Sequence, residues 1–139
     1  MKTKNLWLPF VLFLILVTTA CGNNNGSQKI TADDVVTAFK NAGLEAESTT
    51  KMTKDDYGMA PFVCEGTRFL IPSLGDDSGG RIFICEKKED LDNLAKYYND
   101  LGKSSAMFFS WVFTKGSVLV QINGDLAEDT AKKYEQAIP

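Results

Sequence analysis

The chain has 139 residues, with 15 Lys and Arg against 18 Asp and Glu, no His, and 44% apolar residues. This length allows one domain at most, and the acidic balance argues against nucleic-acid binding, which needs a stripe of basic side chains. The lack of His removes the commonest general base and the commonest transition-metal ligand, and with them much hydrolase and metal chemistry.

Residues 1–20 are predicted to be a secretory signal that is removed. Two lysines precede an apolar stretch from Leu6 to Val17, and small residues follow up to Ala20, which is the order of such a signal. The apolar stretch has 12 residues, too few for a membrane-spanning helix of about 20. Without this segment, 119 residues remain with 13 basic and 18 acidic side chains, a net charge of −5.

Cys21 follows these small residues directly, and Gly22 comes next. This junction resembles the lipobox of bacterial lipoproteins, although Thr18 occupies the position where that family prefers Leu. The resemblance implies that the Cys21 thiol receives a diacylglycerol, that the chain is cut before it, and that the lipid anchors the protein at the extracytoplasmic face of the cell membrane. The whole chain looks like the short lipoproteins of Gram-positive bacteria and their phages. An ordinary signal with an incidental cysteine is the alternative.

Residues 21–30 are predicted to be a flexible tether between the lipid and a globular domain at residues 31–139. The eight residues from Gly22 to Lys29 are small or polar and can bury little surface. Fully extended, they reach about 28 Å at most. The domain is therefore expected to work close to the membrane.

The domain is predicted to be α+β, with the element order αββαββα. Thr31 is a good N-cap for a first helix, and Gly43 is a good stop signal after it. The segment 45–63 has no clear period and is predicted to be a loop. The predicted helices are 32–42, 88–101 and 125–138, and the predicted strands are 67–71, 81–85, 107–113 and 117–123. The simplest arrangement is an antiparallel four-stranded sheet with the helices mainly on one face.

Cys64 and Cys85 are predicted to form a disulfide. Export brings them into an oxidising environment, and they are an even pair once Cys21 is set aside. If the first two strands pair so that residue numbers sum to 149, Cys64 faces Cys85 and Thr67 faces Ile82. The alternative is two buried thiols that act as small apolar side chains.

The aromatic run from Met107 to Phe113 supplies the candidate interaction residues. In a strand, Phe109, Trp111 and Phe113 point to one side, and the alternate residues, which are also mostly apolar, point to the other. One side can be covered by helices, so the other is covered by the loop 45–63 or stays exposed as an interaction surface. The alternative is that all these side chains belong to the core.

No catalytic residue, metal site or cofactor is predicted. The stretch from Gly75 to Gly80 resembles the Gly-Asp-Ser-Gly-Gly around a trypsin-like nucleophile with one Asp inserted, but the chain has no His to activate Ser78. The stretch is interpreted as a solvated hairpin loop, with a calcium site as the less favoured alternative. The expected function is a non-catalytic binding module for an unidentified envelope protein or ligand. A phage or toxin exclusion lipoprotein and a carboxylate-dependent envelope hydrolase are the alternatives.

Overall fold

The structure, a computed structural model, describes residues 28–139. The predicted leader 1–20, the predicted lipidation site Cys21 and the predicted tether up to residue 27 lie outside the described residues. The elements in chain order are α1 Ala32–Asn41, β1 Glu47–Lys51, β2 Glu65–Leu70, β3 Gly79–Ile84, α2 Lys88–Ser104, β4 Ser110–Lys115, β5 Val118–Asn123 and α3 Glu128–Ala137. Between residues 28 and 139, no helix is long and apolar enough to cross a membrane.

The domain is α+β as predicted, but its antiparallel sheet has five strands in the order β1-β2-β3-β5-β4. The predicted count of four strands is wrong because β1 lies in the segment 45–63, for which the sequence pattern predicts a loop. All five residues of β1 are exposed, so this edge strand has no apolar alternation to reveal it. A register shift between Glu47 and Thr50 interrupts its pairing with β2.

The hairpin of β2 and β3 has the predicted register. Thr67 pairs with Ile82, and Glu65 pairs with Ile84. This register matters for the site, because it also decides which polar side chains of the two strands become neighbours.

The helices lie on both faces of the sheet, so the prediction of helices mainly on one face needs correction. Helices α1 and α3 pack on one face over a core that includes Phe69, Ile82 and Val120. Helix α2 packs on the other face, together with residues of the segment 52–64, over Phe83 and Leu119. The physical reason is that β3 and β5 are apolar on both sides, as strands buried on both faces are.

Local signals explain most element boundaries. Thr31 and Asp34 form a capping box at the start of α1, as the sequence indicates. Strand β4 begins at Ser110, three residues later than predicted, because residues Ala106–Phe108 form a 3-10 turn after α2. Helix α3 begins at Glu128, because residues before it form a turn in which the backbone N–H of Asp125 donates to the Asn123 side-chain oxygen.

Candidate functional site

On the sheet face that packs against helix α2, three neighbouring strands carry polar side chains: Arg68 is exposed, Arg81 is half-buried and Gln121 is buried. Arg68 of β2 pairs with Arg81 of β3, and Arg81 pairs with Gln121 of β5. The three residues therefore lie side by side across the middle of the sheet. We call Arg68, Arg81 and Gln121 the arginine row.

Arg68 and Arg81 are the only arginines in the chain. A terminal nitrogen of Arg81 (Nη1) donates to Gln121 Oε1 at 3.0 Å, and Arg68 Nη2 donates to the backbone carbonyl of Asp77 at 2.6 Å. In the part of the chain that the structure describes, neither guanidinium lies within 4.0 Å of a carboxylate. A guanidinium carries five N–H donors, so both keep most of theirs open to a ligand.

A cavity of about 310 Å³ lies over the arginine row. Its remaining walls come from the turn before β3, from the ends of β4 and β5, and from the 3-10 turn after α2. The residues that line it besides the row are Asp77, Ser78, Gly79, Gly80, Met107, Phe108, Phe109, Ser110, Asn123 and Gly124. A smaller opening of about 210 Å³, bordered by Asp56, shares both arginines.

Three consecutive apolar side chains form the rim of this cavity. Met107 is 85% exposed, Phe108 56% and Phe109 43%. Two glycines hold the rim in place. A Cβ on Gly124 would lie 2.4 Å from the Phe109 carbonyl oxygen, and a Cβ on Gly102 would lie 3.3 Å from the Phe109 Cα. The backbone of Phe109 therefore packs closely between α2 and the end of β5.

Two carboxylates border the arginines without pairing with them. Asp56 accepts hydrogen bonds from the backbone N–H and hydroxyl of Thr53, and these bonds, with the charges of Arg68 and Arg81 as weaker causes, lower its pKa. Asp77 lines the larger cavity. The site therefore combines two guanidinium groups with two carboxylates at its edges.

The structure places the three predicted interaction residues in two different environments. Phe109 lies at the cavity rim, whereas Trp111 and Phe113 are half-buried on the opposite sheet face, against the α1 and α3 core. The Trp111 indole Nε1 donates to the Leu126 carbonyl at 2.9 Å, and its ring meets that of Phe109 edge to face at 5.0 Å. The predicted alternation of the strand thus begins only at Ser110, and Phe109 is the member of the trio that faces a cavity.

A disulfide joins Cys64 and Cys85, whose Cα atoms lie 4.5 Å apart. It ties the segment before β2 to the end of β3, and both cysteines are buried. Tyr57 in the same segment donates its hydroxyl to the Cys64 carbonyl at 2.5 Å. The disulfide and this hydrogen bond hold the segment 52–64 on the sheet. They lie at the end of β3 opposite to Gly79, which lines the cavity.

The described region outside the cavity holds no cluster of metal ligands and no carboxyl group with a raised pKa among those whose shift is resolved. Between residues 28 and 139, no three His, Cys, Asp or Glu side chains come close enough to hold a metal ion. A carboxylate-dependent hydrolase needs one carboxyl group whose pKa is raised. The described carboxyl groups with a resolved pKa shift are all shifted downward: Asp34, Asp56, Glu65, Glu86 and Asp100.

Comparison of the chain with protein-family models, with curated proteins and with solved structures finds no match.

Proposed function

We propose that this chain is a lipid-anchored binding protein of the extracytoplasmic membrane face, attached through a diacylglycerol on Cys21. Its domain binds an anionic ligand in the cavity over the arginine row and catalyses no reaction. The observation that carries the proposal is that the two arginines of the chain are direct cross-strand neighbours and have no carboxylate partner within the described residues.

This arrangement is unfavourable for folding alone. Like charges directly opposite each other in an antiparallel pair are destabilising. The chain has 18 acidic residues, so carboxylates are abundant. The nearby Asp56 nevertheless accepts hydrogen bonds from Thr53 and pairs with neither arginine. A ligand that bears negative charge would relieve the repulsion between Arg68 and Arg81.

The position at which the tether joins the domain is compatible with a cavity that faces away from the membrane. Lys29, at the start of the described domain, pairs with Glu86 at 2.7 Å, just beyond the last residue of β3. The cavity wall at Gly79 is the first residue of β3, and a strand of six residues spans about 20 Å. A tether from Cys21 would thus enter at one end of the sheet, with the cavity toward the other end.

The anchor is tested with the variant Cys21→Ala in the producing cell. We expect the variant to carry no lipid, to keep its leader uncut by the lipoprotein peptidase, and to take up no labelled fatty acid. Processing after Ala20 and membrane retention equal to those of the unchanged protein would contradict the anchor.

The binding cavity is tested with a photo-crosslinking amino acid at position 108 in intact cells. A matched probe at Lys133, which is exposed on α3 at the opposite sheet face, is the control. We expect an adduct from position 108, none from position 133, and loss of the first when Arg81 is changed to Gln. Equal adducts from both positions, or none from position 108, would contradict a binding site at the cavity.

A further inference from the structure

The arginine row and its apolar rim define a ligand class. We propose that the cavity binds a monovalent carboxylate that carries an apolar substituent, with the carboxylate on Arg68 and Arg81 and the substituent against Met107 and Phe108. This inference rests on the proposed function of the cavity and adds the chemistry of its ligand.

The donors fit a planar carboxylate. A guanidinium presents its N–H groups in a rigid fork whose spacing matches the two oxygens of a carboxylate. Gln121 holds Arg81 by a bond of 3.0 Å to one nitrogen, and the Asp77 carbonyl holds Arg68 by a bond of 2.6 Å to one nitrogen. Each fork is thus positioned by one hydrogen bond and keeps its other donors for the ligand.

The charge of the site favours one negative charge over several. Asp56 and Asp77 border the two arginines, and Lys51, the other cation of the smaller opening, is paired with Glu65 at 2.7 Å. A multiply charged phosphate would gain from the two guanidinium groups but would be repelled by the two aspartates. Attraction and repulsion both grow in proportion to the charge of the ligand, whereas the cost of removing the ligand from water grows with the square of that charge. At a site where two arginines face two aspartates, a singly charged carboxylate is therefore favoured.

The rim and the volume favour a small apolar substituent. Met107 and Phe108 are 85% and 56% exposed beside the cavity, where an apolar group could cover them. The cavity of about 310 Å³ is at the small end of the range for ligand sites. A single amino-acid-sized group fits, and it could come from a free organic acid or from the C-terminal residue of a polypeptide.

The test compares probes that differ in one property, with the mature lipidated protein in detergent micelles and binding measured by calorimetry. N-acetylphenylalanine has the carboxylate and the apolar group, its primary amide lacks the charge, and N-acetylglycine lacks the apolar group. We expect the amide and the glycine derivative each to bind at least about tenfold more weakly than the acid. Inorganic phosphate at equal concentration should not displace the acid.

Variants test separately which residues recognise the carboxylate and which recognise the apolar substituent. Arg68→Gln and Arg81→Gln should each bring the acid and the amide to within about threefold of each other. Phe108→Ala should weaken both probes and preserve their ratio, and Lys133→Gln should change neither. Circular dichroism of each variant verifies the fold, and Phe108, being exposed, can be truncated without loss of core packing.

A peptide that ends in phenylalanine separates the two sources. Binding at least about tenfold tighter than N-acetylphenylalanine, lost on C-terminal amidation, identifies a polypeptide terminus, and equal binding identifies a small acid.

Acid and amide of equal affinity, or displacement by phosphate, would overturn the inference. If no probe binds while the adduct from position 108 persists, the carboxylate class is wrong and the proposed binding function stands. If that adduct is also absent, both are wrong.

Discussion

Arg68 and Arg81 face each other across β2 and β3, and between residues 28 and 139 neither has a carboxylate within 4.0 Å. Cross-strand neighbours of like charge repel each other, and the repulsion is strongest where helices or loops limit access of water. The rim at Phe108 and Phe109 lies over the same cavity. The cavity therefore combines the charged arginine row with an apolar rim. The packing of the domain does not explain this combination.

The first prediction concerns the stability cost of this pair. Arg68→Gln removes the like charge beside Arg81 and should leave the free energy of unfolding unchanged or raise it by up to about 1 kcal/mol. Urea unfolding followed by circular dichroism measures the change. The matched control is Lys132→Gln, which breaks the exposed ion pair with Glu128 on α3 and should lower stability only slightly. A loss of more than about 1 kcal/mol in Arg68→Gln would show that the arginine is structural.

The second prediction concerns Trp111, the only tryptophan in residues 21–139. Its ring is half-buried against the α1 and α3 core, and its indole donates to the Leu126 carbonyl. Trp111→Ala should therefore destabilise the domain toward the lower end of about 3–5 kcal/mol, whereas Phe108→Ala at the exposed rim should change stability by about 0.5 kcal/mol at most. Tryptophan emission should be blue-shifted and poorly quenched by iodide. Emission like that of free indole, with an unchanged melting temperature in Trp111→Ala, would place the ring on the surface.

The third prediction concerns the bond between Cys64 and Cys85, which spans 21 residues. Closing a loop of this length in the unfolded chain contributes about 3 kcal/mol, so the double variant Cys64→Ala, Cys85→Ala should lose about that much stability. Alkylation of the native protein without reductant should label neither cysteine. Labelling of both before reduction would refute the bond.

The fourth prediction concerns alkaline pH. Burial raises the pKa of Tyr57 and of Tyr134 to about 12. In the unfolded chain both ionise near pH 10, so the stability that the neutral phenols contribute is complete below about pH 10 and falls as the pH rises to about 12. Urea unfolding at about pH 9 and about pH 11.5 should show this fall, and Tyr57→Phe should show a smaller one. Equal stability at both pH values would contradict the raised pKa values.

Much of the fold could be predicted because its signals are local. The capping box of Thr31 and Asp34 and the apolar spacing of α1 and α2 mark helices, and the alternation of β2 and β3 with their cysteines predicts the register. Strand β1 could not be found in this way, because an exposed edge strand has no buried side chain to produce a period. The side of the sheet on which α2 packs is likewise a tertiary property, since β3 and β5 are apolar on both faces.

Part of the candidate site could also be predicted from the sequence. The predicted register, in which residue numbers sum to 149, already places Arg68 opposite Arg81, and the structure has this pairing. The sequence could not show that residues Ala106–Phe108 form a 3-10 turn, which places Met107, Phe108 and Phe109 at the cavity over this row. The size of the aromatic side chains favours Phe109, Trp111 and Phe113 as interaction residues, but only Phe109 of the three lines the cavity.

The arginine row as a binding site is tested most directly by the two arginine side-chain N–H signals in a nitrogen-15 NMR spectrum. The chain has two arginines, so each signal is assigned by one Arg→Gln variant. The account predicts that N-acetylphenylalanine shifts both signals in a saturable way, together with the backbone signals of Phe108 and Phe109. Both arginine signals unmoved while signals at another surface respond would contradict it.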